Sequence, residues 1–305
     1  MQATEKYVRF DWAIKKMLRD KANFDVLEGF ISVFIDEQVK IETILESESN
    51  QDTIDDKYNK VDIKAKNKQG EIYIIEVQLS REIHYLERIL YGTAKSITEQ
   101  LHLGSDYYDL KKVISINVIY FDLGKGNDYL YHGQTQLVGV HKHDILEVGR
   151  KEKVGLNIVT PEKTSGRRQK TVSEIFPEYY LIRVNEFNDH ARTPIEEWMN
   201  YLKSGIIKED TQAPGLNEAR HKLQYLMMSD KERAAYEYHL DALRIQNDVL
   251  SNSLEEGREE GRAEGTHSHA VQVAKLMLKH GEPLEKVMLY SGLTQMEIDE
   301  LKGNL

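Results

Sequence analysis

The chain has 305 residues, 40% hydrophobic and 30% charged, and a net charge of −10, a composition that can bury the core of one or two domains. It contains no cysteine, which excludes disulfides, thiolate zinc sites and cysteine nucleophiles. No segment has the apolar length of a membrane span or of a secretory signal, so we expect a cytoplasmic protein with no membrane partner.

The first part of the chain has helical periodicity. Apolar residues at helical spacing predict one helix over residues 5–20 and a second over about residues 24–37. Asp25 and Glu28, near the start of the second helix, have the spacing of a capping box. Residues 39–46 alternate between apolar and polar side chains as a strand does, and residues 47–58 have the composition of a polar loop.

A β-hairpin is predicted next. Residues 60–66 and 71–78 both alternate with a period of two, and Gly70 ends the short segment between them. If residues 68–70 form a three-residue loop with Gly70 in the left-handed conformation, Asp62 lies opposite Glu76, within about 5 Å. A two-residue loop would instead place the two carboxylates on opposite faces. Gly70 stands at the left-handed position of the three-residue loop, and this is the loop that brings Asp62 and Glu76 together.

The remaining elements alternate before the chain becomes helical. We expect a helix over 82–103 with an apolar stripe, an almost wholly apolar strand over 113–121, strand-like sequence over 129–140, and a short helix near 194–204. The stripe of the 82–103 helix consists of Leu86, Leu90, Ala94, Ile97 and Leu101. Residues 216–256 have the composition of a helix, glycines then recur every four residues through Gly265, and the last forty residues suggest three short helices.

Two carboxylates on one face of a hairpin suggest a metal site. Asp62 and Glu76 would repel each other among apolar neighbours, and a hard divalent cation removes that cost. Mg²⁺ suits carboxylate and water ligands with open positions for phosphate oxygens, and Mn²⁺ is a substitute. The alternative is a pair of surface acids on a half-exposed hairpin, and the spacing alone does not decide between the two.

The order of Asp62 in one strand, the sequence EVQ late in the next and then a helix resembles the PD-(D/E)XK nuclease superfamily. More narrowly, the chain resembles the bacterial family of recombination-promoting nucleases and transposases. The matching segments are FDWAIKKML, VDIKAKNKQGEIYIIEVQ, LERILYGTAKSITEQLHLGSDYYDLKKVISINVIYF and, in the tail, EEGREEGRAEG followed by SGLTQMEIDEL. The resemblance implies a restriction-endonuclease-like α/β core (helix, three-stranded antiparallel meander, helix, strand) over residues 1–205. A charged helical extension over 206–265 and a three-helix tail over 266–305 would follow.

The resemblance also implies roles for individual residues. Asp62 and Glu76 match the metal ligands of the family, and Gln78 stands where the parent motif has a lysine. Because glutamine cannot supply the positive charge of that lysine, Lys64, on the same face as Asp62, is a candidate to supply it. Asp11, in the segment matching the N-terminal motif, is a candidate third metal ligand. The alternative for Asp11 is an exposed helical ion pair with Lys15, four residues later.

The same resemblance makes DNA the expected partner. Arg88, Tyr91 and Lys95 share a helical face directly after the predicted site and are candidates to meet phosphate. Residues 150–170 hold seven basic and two acidic residues, and within this segment Arg167 and Arg168 are further DNA-binding candidates.

Two functions stay open at this level. The first is an Mg²⁺-dependent DNA endonuclease acting in recombination, mobile-element biology or defence. The second is a nuclease-fold protein for binding or assembly that is silent because Gln78 lacks the charge of lysine. In the tail, residues 295–303 invite comparison with a recognition helix, but they carry four acidic or amide side chains against Lys302. Since phosphate would repel that surface, we expect the helices after residue 206 to form a homo-oligomer instead.

Overall fold

The computed structural model describes residues 7–45, 61–148, 170–188, 190–225 and 228–303. The chain divides into two compact units between Met228 and Ser229. The limits predicted at residues 205 and 265 do not coincide with this division. Segments between 206 and 225 pack in the first unit, and residue 265 lies inside a continuous helix.

A six-stranded sheet forms the first unit. Its strands are β1 (Ile41–Leu45), β2 (Ile63–Asn67), β3 (Ile72–Gln78), β4 (Val113–Ile119), β5 (Leu130–Gly133) and β6 (Glu178–Arg183). The strand order is β1-β2-β3-β4-β6-β5. Strands β1 to β3 form an antiparallel meander, β3, β4 and β6 are parallel, and β5 pairs antiparallel with β6. The predicted mixed α/β class is confirmed, whereas β6 was not predicted.

Within its described ranges, this unit contains six α-helices. They are α1 (Phe10–Lys16), α2 (Phe24–Ile35), α3 (Tyr85–Thr98), α4 (Val172–Ile175), α5 (Pro194–Ser204) and α6 (Leu216–Lys222). Helix α5 has the predicted limits because Thr193 and Glu196 form a capping box at its start and Gly205 is left-handed at its end. The capping box predicted for α2 is wrong, since Glu28 accepts from the backbone N–H of Ile41 and from Lys40.

Aromatic side chains join the helices on one side of the sheet. Phe10 of α1, Phe30 of α2 and Trp198 of α5 are fully buried and have ring centroids 4.7–5.8 Å apart. The indole N–H of Trp198 donates to the carbonyl of Pro214, and the backbone N–H of Val8 donates to the carbonyl of Leu223. Helix α6 and its flanking loops therefore close this core and hold the segment before α1.

Helix α3 buries a different face from the one predicted. Tyr85 and Ile89 are buried with Ile119 in a small apolar cluster, whereas Leu86 and Leu90 of the predicted stripe are more than half exposed. The other buried positions of α3 are Gly92, Thr93 and Ser96. These residues are small or polar, so hydrophobic periodicity points away from them, although small side chains permit close packing of a helix on a sheet.

The second unit consists of α7 (Asp230–Lys279), α8 (Leu284–Ser291) and α9 (Gln295–Gly303). The prediction of one helix over 216–256 followed by three short tail helices is wrong, because the glycine segment is helical and α7 continues to Lys279. The ends of α8 and α9 agree with the sequence, through left-handed Gly281 and Gly292 and a capping box of Thr294 and Glu297. Among the described residues, no helix is long and apolar enough to cross a bilayer.

Candidate functional site

The hairpin that carries the candidate site has the predicted register. Ile63 pairs with Ile75 and Lys66 with Ile72, so the loop holds the three residues 68–70. Gly70 has a φ of 88°, a conformation that glycine adopts without strain. Asp62 lies one residue beyond the last described pair of this ladder, so its placement across from Glu76 stays a prediction.

Three neighbours hold Asp62. Strand β2 begins only at Ile63, and one carboxylate oxygen of Asp62 accepts a hydrogen bond of 2.7 Å from the backbone N–H of Val77. The other oxygen lies 3.7 Å from the ammonium of Lys15 at the end of α1. The guanidinium of Arg19 donates to the backbone carbonyl of Asp62 at 2.5 Å. The acid is therefore fixed at the end of β3, with its side chain 17% exposed.

Glu76 lies on β3 and is paired with Arg88. Its side chain is 6% exposed, and it forms an ion pair with the guanidinium of Arg88 from α3. The same guanidinium also lies 2.5 Å from Glu82. Burial lowers the pKa of Arg88, while the negative charge of Asp62 acts in the opposite direction. Arg88 therefore stands in the field of both candidate metal ligands and stays charged, as arginine does in proteins.

Tyr85 and Asn117 form a polar layer beneath this pair. Asn117, which pairs with Glu76 in the parallel β3–β4 ladder, accepts a hydrogen bond of 3.3 Å from the hydroxyl of Tyr85. Burial raises the pKa of Tyr85, and the charges of Asp62 and Glu82 raise it further. The hydroxyl consequently stays protonated and works as a hydrogen-bond donor, not as a charge.

The structure gives Lys64 and Gln78 other partners than those expected from their roles. Lys64 is buried, and its ammonium lies 2.5 Å from Glu99 at the end of α3. The side-chain amide of Gln78 donates to the carbonyl of Ser80. Lys64 thus joins β2 to α3, and the lysine that faces Asp62 is Lys15.

Asp11 lies on α1, one helical turn before Lys15. Its fully buried carboxylate accepts from Arg9 at 2.9 Å. Burial raises the pKa of Tyr120, and the charge of Asp11 raises it further. The alternative of an exposed ion pair with Lys15 is wrong, because Asp11 is buried and Lys15 faces Asp62. Across the ranges that the structure describes, no three His, Asp or Glu side chains form a group that could hold a metal ion. The role of Asp11 as a third ligand stays a prediction.

The candidate DNA contacts fall into two sets. Arg88, Tyr91 and Lys95 lie on α3, and of these Arg88 reaches the candidate site. Arg167 and Arg168 lie outside the described residues.

The carboxylate oxygens of Asp62 and Glu76 are chemically suitable ligands for Mg²⁺. Both are carboxylates, the ligands that a hard cation prefers, and Mg²⁺ is often held by one or two carboxylates with water and substrate phosphate completing the shell. The nearby charges of Lys15 and Arg88 offset the two acids. A cation that binds both acids must therefore compete with Lys15 and Arg88 or move them aside.

Several residues of the site were not predicted from the sequence as parts of it, namely Arg19, Glu82, Tyr85 and Asn117. Asn117 gave a usable signal, because it is a polar residue inside an otherwise almost wholly apolar strand. Arg19 and Lys15 gave none, since their contacts join α1 and the residues just after it to a hairpin more than forty residues away.

One comparison with known proteins gives a match. A family model described as PD-(D/E)XK nuclease family transposase matches residues 8–253 of the chain. No curated protein and no solved structure matches it. The matched segment includes α1, the hairpin, α3 and β4, and with them all of the residues described above at Asp62 and Glu76.

Proposed function

Because the chain belongs to the PD-(D/E)XK nuclease family transposases, we propose that it is an Mg²⁺-dependent DNA endonuclease. In this reaction water is added across a phosphodiester bond, so that a water oxygen joins phosphorus while a P–O bond breaks. The fold, a mixed sheet with a meander of β1 to β3 flanked by helices, is consistent with this family. The biological setting that we propose is recombination, mobile-element biology or defence.

The observation that carries the proposal is the placement of two acids and two cations at the end of β3. Asp62 and Glu76 are the next residues along the two strands after the last described pair, Ile63 and Ile75, with Lys15 beside the first acid and Arg88 beside the second. The two carboxylates would hold a divalent metal ion, and the positive side chains of Lys15 and Arg88 would hold the phosphate. Two salt bridges with only a structural role would not require that basic side chains from two different helices, α1 and α3, meet acids at the ends of neighbouring strands.

Asp62 and Glu76 would hold Mg²⁺, with Mn²⁺ as a substitute. Bound there, the ion would supply positive charge to the phosphate and acidify a water molecule. The N–H of Val77 orients the carboxylate of Asp62. Since Glu82 offers Arg88 a second carboxylate at 2.5 Å, the guanidinium can leave Glu76 without becoming an unpaired charge. Arg88 then meets a phosphate oxygen with its planar donor fork.

Lys15 supplies the positive charge that, in the parent motif, comes from a lysine at the position that Gln78 occupies in this chain. Its side chain is 42% exposed and its ammonium lies 3.7 Å from Asp62, which allows the ammonium to reach both the acid and an approaching phosphate. Gln78 orients polar groups through its amide but carries no charge. We therefore assign to Lys15, and not to Lys64, the positive charge that stabilises the transition state.

A second candidate is a binding or assembly protein that does not cut DNA. It is favoured by the pairing of both acids with cations and by the lack, among described residues, of a three-ligand group. In that case Asp62 and Glu76 would be structural ion-pair partners, and removing either acid would lower stability without changing any chemistry.

Incubation of purified protein with plasmid DNA separates the two candidates. We expect cleavage with Mg²⁺ or Mn²⁺ and none with EDTA. Asp62→Asn and Glu76→Gln, purified identically, are the matched controls, because both keep the shape of the side chain. Cleavage that persists in both variants would come from a contaminating nuclease, and no cleavage by the unchanged protein under any divalent cation would favour the second candidate.

A further inference from the structure

Helix α7 presents a continuous face that none of the described residues of its own unit covers. Leu250 and Leu254 are 43% and 62% exposed, and Gly257, Gly261 and Gly265 follow them on the same helix. At about 100° per residue, these five positions fall within a sector of about 80°. We call them the Leu–Gly face.

The three glycines carry a cost that the folded chain does not explain. All three are exposed, and a Cβ built at any of them meets no atom within 4 Å. None has a positive φ, so neither a turn nor a close contact with the described part of the chain requires glycine. Glycine in a helix interior costs about 1 kcal/mol relative to alanine, which amounts to about 3 kcal/mol over the three positions.

The charges beside the Leu–Gly face are arranged by sign. Arg258 and Arg262 lie on one flank at about 60° and 100° from its centre, and Glu264 and Glu260 lie at the corresponding angles on the other flank. One flank is therefore basic and the opposite flank acidic along the whole glycine segment.

We propose that the Leu–Gly face of α7 pairs in parallel with the same face of a second copy of this chain. In a parallel two-fold pair, the basic flank of each helix faces the acidic flank of the other, whereas antiparallel pairing would set arginines against arginines and glutamates against glutamates. The glycines let the two helix backbones approach closely, and the leucines bury apolar area next to them. The inference does not depend on the proposed nuclease activity.

Other occupants fit this face less well. Acidic side chains line one flank of the face, and DNA would be repelled from them. A bilayer would have to accept charged residues on both flanks, and α7 is not a candidate membrane span. A second copy satisfies both flanks with residues that are already present.

Single cysteines test the pairing directly, because the chain contains none of its own. We expect Leu250→Cys and Gly261→Cys each to form a disulfide-linked dimer under mild oxidation, since a disulfide requires Cα atoms within about 7 Å. Only parallel pairing allows both, because these positions are about 16 Å apart along the helix. Ala263→Cys, on the opposite side of α7, is the control and should remain monomeric on a non-reducing gel.

Light scattering of the full chain gives the second readout. Replacing Gly257, Gly261 and Gly265 together by alanine should raise the thermal stability of α7 by circular dichroism and yet weaken dimerisation about tenfold or more, because three methyl groups overpack the contact. Ala263→Leu should leave dimerisation unchanged. A monomeric unchanged protein, cross-linking at only one of positions 250 and 261, or equal cross-linking at 263 would each overturn the proposal. An alanine variant that dimerises as tightly as the unchanged chain would do the same.

Discussion

A carboxylate oxygen of Asp62 accepts a 2.7 Å hydrogen bond from the backbone N–H of Val77. If the β2–β3 ladder continued in register, residue 61 would pair with Val77, so the side chain of Asp62 takes a position that a backbone carbonyl would otherwise occupy. The acid ends the ladder and is itself fixed by it. A substitution of Asp62 can therefore affect the protein through the lost hydrogen bond as well as through the lost charge.

We therefore expect Asp62→Ala and Asp62→Asn to differ in stability but not in activity. Both should abolish divalent-dependent cleavage, because neither retains the ligand charge. Only alanine also removes the acceptor of the Val77 N–H, which should cost about 1–2 kcal/mol of unfolding free energy beyond the cost of asparagine. Urea unfolding followed by circular dichroism measures this difference, and equal midpoints would show that the hydrogen bond contributes nothing.

Replacing Arg88 by alanine should leave Glu76 buried without its cation. We expect a lower melting temperature in the absence of metal, because an unpaired buried carboxylate is costly. Added Mg²⁺ should then raise the melting temperature of Arg88→Ala more than that of the unchanged protein, since the ion no longer competes with a guanidinium. Thermal shift with and without Mg²⁺ tests this, with Arg244→Ala on α7 as the control. An equal shift in both proteins would contradict the competition.

Lys15→Ala should reduce cleavage by about 10- to 100-fold while leaving the fold intact, because its side chain is 42% exposed and contributes charge more than packing. Lys15→Arg should retain most activity. Combining Lys15→Ala with Gln78→Lys should restore part of the loss, since it returns the charge to the place that the parent motif gives it. Lys64→Ala is the comparison, and it should lower stability through the lost contact with Glu99. Rates in single-turnover plasmid cleavage decide between these outcomes.

Gly70→Ala should destabilise the protein by about 1–2 kcal/mol, because the φ of 88° is unfavourable for a residue with a Cβ. Gly70→Asn should cost less, since asparagine tolerates the left-handed region. Deletion of Gln69 should do something different, because a loop one residue shorter shifts the register and moves Asp62 off Glu76. Cleavage surviving that deletion would argue against the two-acid site.

The first unit should fold without α7 only if the cut is placed correctly. A chain ending at Met228 should be folded, whereas one ending at Lys203 should not, because it lacks α6 and the Pro214 carbonyl that Trp198 uses. It would also lack the Leu223 carbonyl that binds the segment before α1. Circular dichroism melting of both truncated proteins tests this expectation. A cooperative transition in the shorter chain would show that α6 is dispensable.

How far the sequence leads depends on the range of the interaction. The hairpin register, Gly70 and helix α5 could be predicted because turn chemistry and capping act over a few residues. The buried face of α3 could not, because Thr93 and Ser96 are polar and only the sheet beneath them makes them interior positions. The partners of Lys64 and Lys15 could not either, since each contact crosses more than thirty residues of chain. Strand alternation predicts the face on which Lys64 lies, but it does not predict that its ammonium pairs with Glu99.

The 50 residues of α7 span about 75 Å. Because the helix is this long, parallel and antiparallel pairing would differ in the distance between the two copies of the residues that precede it. The residues of the first unit, to which we assign the proposed nuclease activity, directly precede α7 in the chain. Parallel helices would tether two such domains at one end of the rod, whereas antiparallel helices crossing near Gly261 would tether them about 90 Å apart. Two active sites tethered together can break both strands of one duplex in a single encounter. The paired protein should then linearise supercoiled plasmid early in the reaction, while the triple alanine variant of the glycines should accumulate nicked circles first.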